Sequence, residues 1–389
     1  PGTGKPIKKT FTREEVKVKS VPYKGMVDDG IAYVRLTRFT RNCASEVEEA
    51  ILELTDENEV KGLVLDLRGN PGGLLNESVS LCNLFIDKNQ EVVSTKGKIK
   101  DWEKSYKTMK EPLDKELPLA VLINQSSASA SEIVSGTIQD LDRGVILGKK
   151  SFGKGLVQQT RKLSYNSQLK VTVAKYYTPS GRCIQALDYT NKNDDGSVGK
   201  VADSLKTAFK TRNGRTVYDG GGVDPDIVID QEAFAKIVGS LVSKQLIFDF
   251  ATEFVLQNDS IEAPGVFKIS DALYEDFVMF LSDKEYEYET NTEKKMAELI
   301  DKAEDEYADF KEDLEVLQKK LLSYKEDDIH KYQSQVSELI LSELMARYYY
   351  QEGRVIASLA DDTVLKEAIS VLHDSDRYEA ILSGNLDDK

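Results

Sequence analysis

The sequence predicts an α/β layer with a largely parallel sheet, followed by an acidic and almost wholly helical region. Apolar strand-like runs alternate with runs of helical period between residues 30 and 148, the pattern of strands crossed over by helices. From about residue 232 to the end only helical periodicity remains. Charge divides at the same place: of the net −15, residues from Glu232 onward hold 36 acidic against 17 basic side chains, a net of −19, which leaves residues 1–231 near +4.

In chain order, "PGTGKPIKKTFTREEVKVKSV" reads as strand, turn and strand entered midway, a remnant of strands over residues 1–22. The chain begins at Pro1 with no charged-then-apolar leader, so targeting is not legible and an upstream part is expected to be missing. "GIAYVRLTRF" alternates as a strand, and "ASEVEEAILEL" is an amphipathic helix with Ser45 as its expected N-cap. "VKGLVLDLRGNPGG" is a buried strand entering a glycine loop, "LLNESVSLCNLFI" a helix, and "LPLAVLIN" a second apolar strand. "SASASEIVSGTIQDL" starts a helix at its serines, and "GVILG" is a third strand. "LVQQTRKL" and "QLKVTVAKYY" alternate around "SYNS" as a hairpin. Residues 186–222 are a polar surface excursion, and "VDPDIVID" closes the first part as a strand. The expected domains are thus 1–22, 23–231 and 232–389, a length that suits more than one core.

Composition removes several functions. The negative charge disfavours nucleic-acid binding, which needs Lys and Arg to meet phosphates. No run of apolar residues is long enough to span a bilayer. Cys43, Cys82 and Cys183 are widely spaced and odd in number, forming neither a metal-ligand pattern nor a disulfide framework; they read as small buried side chains. The charge run of the helical region is read as solvated faces laced with i,i+4 pairs, with a partner-binding coiled coil as the alternative.

"GKKSFGKG", Gly148 to Gly155, admits three readings. As a P-loop it lacks the following helix, and Gly155 stands where a Ser or Thr would hold magnesium. As the Ser151-x-x-Lys154 pair of a penicillin-binding protein it lacks the K-T-G strand, and its glycines oppose a helix. The third reading makes Lys154 a general base for a serine elsewhere. The only histidines, His330 and His373, lie in the acidic tail, so a Ser-His-Asp site in the α/β half requires the tail to fold back. A lysine base must be neutral, which burial favours, and Phe152 is placed to wall the amine from water; activity should then rise with pH. An ordinary lysine on a glycine turn is the plain alternative.

"NQSSASASEIVSGTIQD" follows an apolar strand with small residues where a helix starts, the arrangement that exposes a nucleophile beside backbone N–H donors. Together with "DLRGNPGG" upstream and "SFGKGLVQ", "YYTPSGR" and "GGGVDPDI" downstream, it closely resembles the carboxy-terminal processing, or tail-specific, serine proteases over residues 1–231. The helical tail resembles extensions on Bacteroidetes-like members. The resemblance implies a ClpP/crotonase-like layered α/β core and a Ser-Lys dyad with Ser129 as nucleophile and Lys154 as base. It implies that Gln158 positions the dyad, and that the backbone N–H of Ala130 and of Gly73 or Gly72 forms the oxyanion hole. Asp140 matches an acidic family position, as a support or as a plain structural carboxylate. It further implies no metal or organic cofactor, protein or peptide substrates with apolar C-termini, a periplasmic or cell-envelope setting, and an upstream PDZ module. The tail is expected to serve a homo-oligomer or an adaptor. A catalytically silent peptide-binding or scaffold protein on the same fold is the other class.

Overall fold

The computed structural model describes residues 8–385 except 15, 17, 193, 194, 196, 231, 232, 307 and 326. Its strands and helices are β1 (Tyr23–Asp28), β2 (Ile31–Arg35), α1 (Cys43–Glu57), β3 (Gly62–Asp66), α2 (Leu75–Cys82), β4 (Glu91–Lys96), β5 (Lys104–Lys107), β6 (Leu119–Ile123), α3 (Ala130–Asp140) and β7 (Val145–Gly148). There follow β8 (Leu156–Lys162), β9 (Gln168–Tyr177), β10 (Leu187–Lys192), β11 (Val198–Lys200), β12 (Ala208–Lys210), β13 (Thr216–Tyr218) and β14 (Ile227–Val228). Helices complete the chain: α4 (Lys236–Ser243), α5 (Leu246–Gln257), α6 (Asp271–Phe280), α7 (Asn291–Glu306), α8 (Ala308–Lys325), α9 (Asp328–Lys331), α10 (Gln333–Leu359), α11 (Thr363–His373) and α12 (Ser375–Ser383). No helix among the described residues is long and apolar enough to cross a membrane.

The chain divides into two compact units, Pro1–Ile227 with Val371–Lys389, and Val228–Ser370. In the first, a six-stranded sheet runs β1-β2-β3-β6-β7-β14. Its β1–β2 pair is antiparallel, while β2, β3, β6 and β7 are successively parallel. Strands β3, β6 and β7 are buried at every position, which is why they read as continuous apolar runs instead of alternating ones. Helix α1 turns Val47, Ala50, Ile51 and Leu54 onto this core, and α3 is buried along its whole length. A second sheet, β5-β4-β9-β8, is antiparallel throughout.

The second unit is helical around Ile237, Leu241, Phe250, Phe277, Val336 and Ile340. Phe250 and Phe277 meet edge to face with centroids 5.1 Å apart, a favoured aromatic geometry.

Four expectations are corrected. The described residues before Tyr23 form no strand, and Phe11, Val16 and Val18 are exposed, because no neighbouring strand accepts their backbone. Helix α1 starts at Cys43 behind a left-handed Asn42, whose carbonyl accepts the Glu46 N–H at 3.1 Å, so Ser45 is inside the first turn and not its cap. The closing strand of the first part shrinks to Ile227–Val228. Finally, the chain from Val371 onward joins the first unit instead of the tail: Tyr378, Ile381 and Leu382 are buried there, and the Tyr378 hydroxyl accepts the Leu119 N–H at 3.0 Å.

Candidate active site

Strands β3, β6 and β7 are parallel neighbours, so the segments leaving their carboxyl ends emerge side by side. These segments are residues 67–74, 124–129 and 149–155. Asn70, fully buried, laces the first to the second: its carbonyl accepts the Ala128 N–H at 3.0 Å and the Ser131 hydroxyl at 2.9 Å. Its amide donates to the Leu36 carbonyl at 2.8 Å. The second is laced to the third through the Ser127 carbonyl, which accepts the Phe152 N–H at 3.0 Å.

Ser129 ends the second segment, half-buried, with φ 57° and ψ −110°. For a residue with a Cβ this backbone costs roughly 1–3 kcal/mol; here it turns the chain sharply into α3 and presents the side chain at the helix start. Gly72 (φ 90°) touches this turn. A Cβ on it would lie 2.5 Å from the Ala128 oxygen, 2.8 Å from the Ala130 nitrogen and 2.9 Å from the Ser129 Cβ, so only glycine brings the first loop this close.

The two glycines are not equivalent as donors. The Gly72 N–H is already given to the Asn70 Oδ1 at 2.9 Å. Gly73 forms a parallel bridge with Phe39, made by the Gly72 oxygen at 3.2 Å and the Leu74 N–H at 2.9 Å. In that geometry the Gly73 N–H points away from Phe39.

Glu132, fully buried on the first turn of α3, joins the serine segment to the lysine segment. Its Oε2 accepts the backbone N–H of Ser129 and of Lys154, each at 2.8 Å. Its Oε1 accepts the Gly153 N–H and the Ser151 hydroxyl, each at 2.6 Å. Burial pushes its carboxyl above the usual range, and the bonds from Ser151, Lys154, Ser129 and Gly153 oppose that rise. Ser151 also accepts the Val223 N–H at 2.7 Å, so it is a strut of this network.

The Lys154 side chain is exposed, and Phe152, 53% exposed, does not wall it from solvent. Gln158 is exposed on β8 opposite Thr172, next to a register shift after Val157. It lines a cavity of about 330 Å³ with Leu156, Lys175, Gln185, Leu187 and Tyr189. Asp140 stands at the other end of α3, about 16 Å along the helix from Ser129. There its carboxylate pairs with buried Arg182 at 2.8 Å and accepts the Ser180 N–H at 3.0 Å, fixing the "TPSGR" turn. His373 does return to the first unit, but its Nε2 lies 3.2 Å from the Asp28 carboxylate.

Sequence reasoning passed over Glu132 and Asn70. The Ser-x-x-Glu spacing of Ser129 and Glu132 is a helix-start signature and was available; an asparagine in a glycine loop carries no comparable signal.

Residues 30–192 match the model of peptidase family S41, and residues 237–372 match one described as "Probable PDZ-protease, C-terminal helical domain". A carboxy-terminal-processing protease of Bartonella bacilliformis is 43% identical over 192 residues, covering 49% of this chain and 44% of that protein. A probable CtpA-like serine protease of Staphylococcus haemolyticus is 42% identical over 175 residues, covering 44% of this chain and 34% of its own. The chain thus spans less than half the length of these relatives. Among solved structures, a photosystem II D1 C-terminal processing protease is 32% identical, covering 51% of this chain and 42% of that one, at a TM-score of 0.40.

Proposed function

We propose that this chain, whose residues 30–192 are a peptidase family S41 domain, is a serine endopeptidase that cleaves protein substrates near their C-termini. Ser129 is the nucleophile and Lys154 the base. Neutral Lys154 takes the Ser129 proton as the oxygen attacks the scissile carbonyl, and the N–H groups of Ala130 and Gly73 stabilise the oxyanion. Collapse of the intermediate breaks the C–N bond, the protonated lysine gives its proton to the leaving amine, and an ester remains on Ser129. Water, deprotonated by the same lysine, then releases the acid.

The observation that carries this reading is the shared acceptor: one carboxylate oxygen of Glu132 holds both the Ser129 and the Lys154 backbone N–H at 2.8 Å. A scaffold protein has no use for a strained serine locked to a lysine in this way. Lys154 is exposed, and a substrate seated over the loops would cover it. Gln158, four residues further on in β8, is proposed to steady the lysine once the site is occupied. We place the protein in the cell envelope or periplasm, acting on chains with apolar C-termini, with the helical unit serving a second copy or an adaptor.

The test is acyl capture. An activated ester such as a p-nitrophenyl acylate should leave an adduct on the peptide containing Ser129 that hydroxylamine removes, as it does esters and not lysine amides. Its absence, or an adduct unchanged in Ser129→Ala, contradicts the reading.

A further inference from the structure

Two stretches of the first unit concentrate positive charge against the trend of the chain. Residues 96–110 and 156–175 together hold ten Lys and Arg against two Asp and Glu, a net of +8 in a chain of net −15. The fold brings them together, since they supply strands β5, β8 and β9 and the end of β4 in one sheet. Contact between them is direct, because the Arg161 guanidinium lies over the Trp102 ring at 5.4 Å.

Beyond the Arg161–Trp102 contact, the outer part of the β8–β9 ribbon is exposed along both strands. Only Lys175–Tyr177 of β9 pair with β4, and from Gln158 to Thr172 nearly every described position is exposed. Strand partners share a face, so Arg161 with Leu169 and Gln159 with Val171 lie on the Trp102 side. That side and the hairpin tip carry apolar surface: Leu163 is 53% exposed, Leu169 49%, Trp102 40% and Tyr165 fully. Lys162 and Lys170 alternate with them along the two strands and so lie on the ribbon's other face, behind the same tip.

We propose that this face docks on an anionic lipid bilayer. Aromatic and aliphatic side chains at a protruding tip, ringed by Lys and Arg, suit the headgroup boundary, where rings and alkyl stems enter and charges stay at the phosphates. An acidic protein partner would match the lysines but leave the apolar tip without a purpose.

Trp102 is the only tryptophan, so its emission reports on this face without a label. Titrating the whole chain with phosphatidylcholine vesicles containing phosphatidylglycerol should shift the emission to the blue and cosediment the protein, and phosphatidylcholine alone or high salt should do neither. Arg161→Glu with Lys162→Glu should lower the partition coefficient by roughly fivefold or more for each lost charge. Leu163→Ser with Tyr165→Ser should abolish the blue shift, and thermal melts should show both variants folded, since these side chains are exposed. Three results would overturn the proposal: no shift and no cosedimentation with the anionic vesicles, equal binding by the charge-reversed variant, or a concentration-dependent shift without vesicles, which would give the face to a second copy of the chain.

Discussion

Glu132 is the residue on which the proposed catalytic geometry turns, and its replacement separates positioning from chemistry. Glu132→Gln keeps the volume but sets an NH2 against a ring of donors, so at least one of the N–H groups of Ser129, Gly153 and Lys154 loses its acceptor. The expected cost is about 1–3 kcal/mol in urea unfolding, with kcat falling on the order of a hundredfold from misplaced groups and KM changing less. Gly72→Ala is the second prediction at this scale. Its Cβ would fall 2.8 Å from the Ala130 nitrogen at φ 90°, so activity should be lost with a stability cost of roughly 1–3 kcal/mol. Gly72→Ala with undiminished cleavage would remove the glycine loop from the site.

Strand β3 delivers the glycine loop, and a buried cluster at its end fixes where it starts. Asp66 accepts the Tyr33 hydroxyl at 2.6 Å and the Arg68 guanidinium at 3.0 and 2.7 Å. Burial pushes its carboxyl up, but the charge and hydrogen bonds of Arg68, with Arg35 and Tyr33, outweigh this and hold it below the usual range. The unfolded chain therefore binds the Asp66 proton first as pH falls. Its stabilisation is complete above the ordinary value of about 3.9 and is lost as pH drops through the lowered one. Asp66→Asn should be less stable at neutral pH and show a flatter acid limb in denaturation followed against pH; an unchanged acid limb would remove Asp66 from that role. The strands and helices of this unit were legible because their burial is written as apolar runs of the right period. Boundaries set by backbone geometry were not: nothing in the composition marks the left-handed Asn42 that starts α1. Ser129, Lys154 and the glycines were legible as motifs, whereas the carboxylate joining them was hidden as one Glu among many, and the exposure of Lys154 depends on packing that no local pattern encodes.

At the scale of the molecule, the last described residues belong to the first unit, although their composition matches the acidic tail. A chain ending at Ser370 loses the buried Leu372, Tyr378, Ile381 and Leu382. At about 1.5–3 kcal/mol for each large side chain fully buried, it should unfold several kcal/mol more easily, read as a lower midpoint in urea for the unit that holds Trp102. An unchanged midpoint would show that these contacts do not stabilise the unit. The same unit holds all three loops of the proposed site, so catalysis is assigned to it and not to the helical part. The direct measurement is cleavage of an unstructured protein with an apolar C-terminus by the unaltered chain, Ser129→Ala and Lys154→Ala under one condition. Turnover by the unaltered chain, reduced by roughly a thousandfold or more in both variants, is the predicted result; no cleavage by the unaltered chain, or cleavage that persists undiminished in either variant, would contradict the dyad.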